Sequence, residues 1–431
     1  MFAPKVAAHR HMDNPTDTAI LPSMKTTFDI AIVGGGLNGS ALALALAQTG
    51  LRVAVVDRFA SETRTNPAFD GRSYALSHAS KRLLAALGVW ADVAQDTQAI
   101  LHIKVTDGRV GEGPSPFMME FDHAEIEEGP MGFMVEDRHL RRAFQDAISG
   151  QTGITQFNEI DVTGHHVDEA GVTVALADGR TIKAAVLVGA DGAQSPTAKR
   201  VGITRTGWAY GQTALVCAIS HENQHDGTAH QFFMPPGPLA ILPLTGNRAS
   251  IVWTETNANA ARIQAQDDAE YLNTLGPRVG EFLGKIDLAG TRFTYPLTLS
   301  IANRCAAPRI ALIGDAAHRV HPIAGQGLNA GLKDVATLAE VLTLARRHGE
   351  DIGRVDVLNR YQQWRRFDTA TLALATDTFN RLFSNDNSAL RLIRGIGLGA
   401  VNAWPGLRRG LIREAAGLTG DLPKLLKGQQ I

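Results

Sequence analysis

A β-branched run, Phe28-Asp29-Ile30-Ala31-Ile32-Val33, is followed at once by Gly34-Gly35-Gly36-Leu37-Asn38-Gly39. Next come the small, helix-favouring residues Ser40–Ala47, a closing Gly50, and a second apolar run, Val53–Val56, that ends at Asp57. Strand, glycine turn, helix and strand in this order make a βαβ unit, which places the chain in the α/β class. Gly34, Gly36 and Gly39 stand in the spacing G-x-G-x-x-G. The first glycine permits a tight turn, the second lets a pyrophosphate approach the backbone, and the third lets the helix pack on the strand. The helix N-terminus faces the phosphates, and an acid about 20 residues on takes the ribose hydroxyls. Asp57 stands in that place, with the strand before and the helix after it that make the motif specific for a dinucleotide.

A second stretch has the same logic further along. The apolar Arg309–Ile313 leads into Gly314-Asp315-Ala316-Ala317-His318-Arg319-Val320-His321-Pro322-Ile323-Ala324-Gly325-Gln326-Gly327-Leu328-Asn329-Ala330-Gly331, and then into a helix-like run, Leu332–Leu342. A strand that ends in a glycine-rich loop and restarts as a helix presents free N–H groups to a ligand. Asp315 adds a carboxylate at the strand's C-terminal end, where open α/β sheets bind ligands. His318 and His321 have no third ligand nearby and read as packing or loop hydrogen bonds, with no metal expected.

Between these stretches the texture alternates. Gly71–Ser77 leads to a helix around Ala79–Leu87, and Ile100–Thr106 and Phe117–Asp122 look like strands. Gly132–Val135 precedes a helix, Arg138–Ile148. Val172–Leu176 and Thr181–Val188 form a hairpin about Asp178-Gly179, ending at Gly189-Ala190-Asp191-Gly192-Ala193-Gln194-Ser195. From 202 to 299 the chain is β-rich, with one helical insert around Asp267–Leu275. The expected organisation is a disordered leader (1–25), a discontinuous dinucleotide domain (26–98, 131–199 and 300–350), an inserted β-sheet domain (99–130 and 200–299) and a helical C-terminal region (351–431). A net charge of -1 gives no reason to expect nucleic acid. Two cysteines in 431 residues read as free thiols. No apolar run reaches the ~20 residues of a membrane span, and the first residues lack the apolar core of a secretory signal.

Three motifs stand in one order: Gly34–Gly39 with Asp57, then Gly189–Ser195, then Gly314-Asp315. Together they resemble the single-component flavin-dependent aromatic hydroxylases, the group of para-hydroxybenzoate hydroxylase. The run His321–Asp334, with Gly71–Ser77 and Gly237-Pro238-Leu239-Ala240-Ile241-Leu242-Pro243-Leu244, looks like the ubiquinone-biosynthesis branch of that group. The resemblance covers roughly residues 27 to 415.

It implies a Rossmann-like FAD-binding domain with an inserted β-sheet substrate domain. Gly34, Gly36 and Gly39 would hold the FAD pyrophosphate and Asp57 the adenosine ribose. Arg58, Arg72 and Arg138 would lie near the cofactor. Asp191 and Gly192 would sit close to it, although Asp-Gly is also a common turn pair. Gly314 and Asp315 would meet the ribityl chain. The loop Pro322, Gly325, Gln326 and Gly327 would run along the isoalloxazine, with the N–H groups of Gly327, Leu328 and Asn329 facing the flavin edge that turns anionic on reduction.

The implied reaction is hydroxylation of a polyprenylated phenol with NAD(P)H and O2 through a flavin C4a-hydroperoxide. No catalytic side chain is assigned, because the flavin carries the covalent chemistry. No second G-x-G-x-x-G is followed by a strand and an acid, so NAD(P)H would dock transiently. Trp208, Tyr210, Phe232, Phe233 and Trp253 are candidates for the pocket, with core packing the blander role for each. From Arg381 on, basic residues (Arg381, Arg391, Arg394, Arg408, Arg409, Arg413, Lys424, Lys427) outnumber acidic ones (Asp386, Glu414, Asp421) and interleave with apolar residues. That pattern fits a membrane surface, a partner among other quinone-biosynthesis proteins, or a helical cap. The expected location is cytoplasmic, peripheral on the inner face of the membrane. The alternatives are a flavoprotein reductase acting on a polyprenyl group and a non-catalytic FAD-binding member of a biosynthetic assembly.

Overall fold

The structure is a computed structural model that describes residues 27–68, 71–109, 113–321, 325–383 and 403–431. The expected leader, Pro322 and the basic residues Arg391 and Arg394 lie outside the described residues.

The βαβ unit forms as its pattern dictates. Ile30–Val33 and Val53–Val56 pair in parallel on either side of the helix Leu37–Ala47. They sit inside a six-stranded sheet whose spatial order is Ala306–Ala307, Ile310–Leu312, Val186–Gly189, Ile30–Val33, Val53–Val56, Ile154–Phe157. All neighbours in it are parallel except the edge strand Ala306–Ala307. Parallel strands are covered on both faces, which is why these segments are apolar throughout rather than alternating. One face packs on Leu42 and Leu46 of the first helix and Leu332, Val335 and Leu338 of the helix Gln326–Arg347. The other face packs on a three-stranded meander, Val162–Val167, Val172–Leu176 and Thr181–Ala184. Each fully buried Leu or Val here contributes about 1.5–3 kcal/mol of transfer free energy.

The run expected as one strand, Thr181–Val188, is two. Thr181–Ala184 belongs to the meander and Val186–Gly189 to the parallel sheet. Ala185 makes the crossing, and its N–H donates to Asp29 O. Periodicity could not show this, because both halves are buried on their inward faces.

A nine-stranded sheet stands beside the first. Its spine is Arg205–His221, which pairs antiparallel with Phe293–Ala302 on one side and Arg248–Thr256 on the other. His102–Arg109 joins it in parallel beside Thr228–Met234, bringing residues from early in the chain into the same sheet. The helices Asn257–Gln264 and Asp268–Val279 cover one face, with Tyr271 of the second helix packed into the same core as Leu215, Cys217, Ile251 and Trp253 of the sheet. Trp253 is thus a core residue, with its indole N–H donating to Glu255. Phe232 packs in the same core.

The chain between Ile310 and Arg319 links the two sheets. Ile310–Leu312 lies in the parallel sheet, Gly314–Ala316 makes a tight turn, and His318–Arg319 pairs with Ser300 and Ile301 in the large sheet. The second glycine-rich stretch therefore starts where the two sheets meet. After it, the helices Gln326–Arg347 and Val355–Phe383 lead to Pro405–Ala415. Ile412 is buried against the large sheet's cluster, and Leu422, Leu425 and Leu426 against the main core.

Candidate functional site

The glycine loop is fixed by backbone contacts. Gly34 has φ +105°, and a side chain there would meet the carbonyl of Ala190. A side chain on Gly39 would collide with the carbonyl oxygen of Gly34. At Gly36, by contrast, nothing stands within 4 Å of where a Cβ would be, so this position faces an open cradle at the start of the helix Leu37–Ala47. Asp57 is buried and folds back on the loop. One carboxylate oxygen accepts from Gly35 N at 2.5 Å, the other from Phe59 N at 2.8 Å. Arg58 next to it is exposed, with its guanidinium 4.8 Å from the centroid of the Phe59 ring.

Arg64 is a member that sequence reasoning missed. It is buried, donates to Gly35 O at 3.0 Å and to Asn158 at 2.7 Å, and lines the recess beside Gly35, Gly36 and Ser40 together with Arg141. It sits in a four-residue helix, Ser61–Arg64, whose polar sequence carries no motif.

The second stretch is fixed by side chains. Gly314 has φ +57°, and its N–H donates to the buried carboxylate of Asp334 at 2.9 Å. The other oxygen of Asp334 accepts from Arg365 at 2.7 Å, and His318 Nε2 stands 2.7 Å from the first. Burial pushes the Asp334 carboxyl up, but His318 and Arg365 outweigh it and hold it below its ordinary value. His318 is therefore a loop-fixing residue. Asp315 points the other way. The residue is exposed; Arg205 donates to its backbone oxygen at 3.1 Å and also lies within the field of its carboxylate, which accepts no hydrogen bond from a described residue.

The helix starts at Gln326, earlier than the apolar run indicated, with Gly325 in the left-handed conformation at φ +63° as its cap. Gly327, Leu328 and Asn329 thus form its first turn, where N–H groups lack intrahelical partners. The Asn329 side chain is spent on the fold: it accepts from Ser77 N and Ser80 Oγ and donates to Ala75 O.

Asn38 joins the two stretches. Its side chain lies so close to Gly314 and Gly331 that a Cβ at either would strike it. Its Oδ1 is buried with no partner among the described residues. The signal for it was present, since it occupies a variable position of the glycine motif beside the helix N-terminus.

The remaining candidates are engaged elsewhere. Arg72 pairs with the buried Asp137 at 2.9 Å, and Tyr74 and Arg141 meet the same carboxylate. Arg138 donates to the buried Glu136 at 2.7 Å and to Pro67 O at 2.8 Å. Arg248, from the large sheet, holds the other oxygen of Glu136 at 2.6 Å, which ties the large sheet to the small three-stranded sheet that contains Gly132–Glu136. Asp191 uses both oxygens within its own loop, accepting from Ser195 Oγ and Thr197 N, and Gly192 has φ +79°. Both behave as turn residues. His102, Asp122 and His123 cluster at the outer hairpin, half-exposed, apart from the two stretches.

Comparison with known proteins identifies the family. A family model described as FAD binding domain matches residues 27–372. Ubiquinone hydroxylase UbiL of Rhodospirillum rubrum is 41% identical over 420 residues, covering 96% of each chain. The chain belongs to the ubiquinone-biosynthesis FAD-dependent hydroxylase family. The 3-demethoxyubiquinol 3-hydroxylase of Escherichia coli is 35% identical over 396 residues, covering 90% of this chain and 98% of the relative. Among solved structures, p-nitrophenol 4-monooxygenase PnpA of Pseudomonas putida shares the fold at TM-score 0.75, with 20% identity over 92% of this chain and 99% of that one.

The cofactor of this hydroxylase family is FAD, and the residues present fit it. The cradle at Gly36, the orphaned Asn38 Oδ1, the exposed Asp315 and the first-turn N–H groups of Gly327, Leu328 and Asn329 are the polar features an extended dinucleotide would satisfy.

Proposed function

We propose that this protein hydroxylates the aromatic ring of a polyprenylated phenol on the route to a quinone, using NAD(P)H and O2. The observation that carries the reading is the match to ubiquinone hydroxylases along nearly the whole chain, coupled with two ligand-facing loops joined at Asn38. Bound FAD supplies the redox chemistry: two electrons from NAD(P)H and one molecule of O2 put a hydroxyl on the ring and release water. The chain's own residues bind, orient and exclude water. Gly34, Gly36 and Gly39 admit the pyrophosphate, and Asp57 stands on the ribose side of that loop. Asp315 accepts from the ribityl hydroxyls. The N–H groups of Gly327, Leu328 and Asn329 stabilise negative charge at the flavin edge, where a helix N-terminus favours anions. The buried His318–Asp334–Arg365 network holds Gly314 in place, so the donors are set before charge develops.

A strain lacking the gene should accumulate one polyprenylated phenol, and label from isotopic O2 should enter the product of the restored pathway. Normal quinone levels in the deletion strain would sink the hydroxylase reading. Product without label would favour a reductase.

A polyprenyl tail has to be reached at a membrane, so we also assign the C-terminal helix a peripheral role on the inner face of the cytoplasmic membrane. Trp404, Leu407 and Leu411 are exposed on Pro405–Ala415 and the residue before it, which supports this. Arg408 and Arg413 support it less, since they pair with Glu125 and Glu128. No helix among the described residues is long and apolar enough to cross a membrane. Truncation before this helix would uncover the core that Leu422, Leu425 and Leu426 close, so the test uses Trp404→Ser with Leu407→Ser. Undiminished sedimentation with anionic vesicles would overturn the assignment.

A further inference from the structure

His318 and His321 look alike in sequence, yet the structure separates them. His318 is bonded to Asp334. His321 is 0% exposed, and neither of its ring nitrogens has a hydrogen-bond partner among the described residues. An orphaned buried imidazole costs stability, roughly 1–3 kcal/mol for each unsatisfied polar group, and such a group calls for a reason.

Its surroundings indicate one. The Tyr210 ring packs edge-on against it at 5.1 Å, and Trp208 packs edge-on against Tyr210 at 6.5 Å. Trp208 is 42% exposed, so a line of aromatic rings runs from the surface to His321. The spine strand Arg205–His221 carries a bulge between Ala209 and Thr213, at Tyr210 itself. Bulges re-aim side chains and are common beside active sites. Gln212, in the same bulge, is tied to Asn380 of the helix Val355–Phe383, so the bulge is braced from behind. Leu299, Val320 and Ala373 make the adjoining apolar wall. His321 closes the inner end of this line, four residues before Gly325, the cap of the flavin-facing helix.

We propose that His321 binds the substrate: one of its ring nitrogens accepts the hydrogen bond of the phenolic hydroxyl and turns the ring towards the flavin. This rests on the hydroxylase reading and adds to it the residue that recognises the phenol. Burial pushes the His321 imidazole down to about 4, with Asp377 opposing that shift. The ring is thus neutral near pH 7 and has an acceptor lone pair to offer. A hydrogen bond from a phenol to it strengthens the electron-releasing character of the oxygen, which an electrophilic hydroxylation needs.

The test uses FAD-loaded enzyme and two probes, a short-tailed 2-prenylphenol and its O-methyl ether, which keeps the ring and tail but has no hydroxyl to donate. Flavin absorbance reports binding of each. Wild type should prefer the phenol by about tenfold or more, the worth of one buried hydrogen bond. His321→Phe should lose that preference while binding the ether as before, and should unfold at the same or a higher temperature, because a buried orphan has gone. His321→Asn should keep part of the preference. An unchanged preference in His321→Phe overturns the proposal. A fall of several degrees in the unfolding temperature of His321→Phe also overturns it, since the ring would then have a structural partner. Failure of wild type to bind the phenol or to oxidise NAD(P)H faster in its presence is a different result: it removes the hydroxylase reading, and this assignment with it.

Discussion

The loop at Gly34–Gly39 is shaped by backbone against backbone, whereas the loop at Gly314–Asn329 is shaped by side chains reaching in from distant parts of the chain. In the first, Gly34 and Gly39 are pressed against the carbonyls of Ala190 and Gly34, and only Gly36 faces open space. In the second, Gly314 hangs from Asp334, Asp334 from Arg365, and Asn329 from Ser77 and Ser80. A backbone-shaped loop fails all at once when a side chain is added. A loop hung from side chains should fail by degrees, according to how deeply each support is buried. The contrast also separates positions that build the site from positions that face its ligand, since each loop contains both.

The largest effect is expected within the first loop. Gly39→Val forces Cβ into the Gly34 carbonyl and should leave no soluble, FAD-loaded protein. Gly36→Ala should fold with an unchanged unfolding temperature and bind FAD more weakly, because its added methyl points into the cradle. Flavin absorbance per mole of purified protein, beside a thermal melt, reads both. Equal behaviour of the two variants would break the distinction between building and facing positions.

In the second loop the deepest support is Asp334. Asp334→Asn leaves the buried Arg365 with Asp368 as its remaining carboxylate partner among the described residues, at 2.6 Å, and weakens the hold on Gly314 N. Removing one partner of a buried ion pair costs about 3–5 kcal/mol. Chemical denaturation should show a loss in that range, with a protein that still folds. A loss under ~1 kcal/mol would mean that the second loop, too, is held by its backbone.

These two loops also differ in how far sequence could reach them. Spacing and strand context revealed the glycine loop, since the steric demands at Gly34 and Gly39 are local. The same local logic found the strand before Gly314 and the exposed Asp315. It placed the helix start too late, at Leu332, because Gln326–Gly331 has no apolar periodicity and its helix is held instead by Asn329 reaching back to residues 75–80. Arg64 and Arg365 left no trace in pattern, because what makes them important is a partner far along the chain, Gly35 for one and Asp334 for the other. Asp57 was legible as the acid that closes the second strand, and its bonds to Gly35 and Phe59 show it bracing the glycine loop.

Acid should separate His321 from Asp334, although both lie in or against the second loop. A buried histidine held neutral protonates at lower pH than it does unfolded. Between its ordinary value of 6.5 and about 4, the unfolded chain binds a proton that the folded chain refuses, so stability falls as pH falls through that window. Asp334 stays charged to below its ordinary 3.8, so its contribution is intact over the same range and is lost only at lower pH. His230, also pushed down to about 4 by burial, titrates in the same window, so the informative quantity is a difference between variants. Wild type should lose roughly 2 kcal/mol more than His321→Phe between pH 6.5 and 5. Parallel curves would show that His321 is not buried neutral.

The smallest effect on stability is expected at Asp315, one residue from the backbone that Asp334 holds. Its carboxylate is exposed and bonds no described group, while its neighbours Gly314 and Ala316 are buried. Asp315→Asn should therefore move the unfolding free energy by no more than ~0.5 kcal/mol, as surface changes away from buried partners do. If its oxygens accept from the ribityl hydroxyls, replacing the charge should still weaken FAD binding, by roughly tenfold. Asp334→Asn should reverse that ratio, with a large loss of stability and a weaker hold on FAD only as the loop loosens. Titrating apoprotein with FAD, next to denaturation of the same samples, measures both quantities for both variants. A destabilised Asp315→Asn that binds FAD normally would reverse the roles of these two carboxylates and place the ligand-facing side of the loop elsewhere.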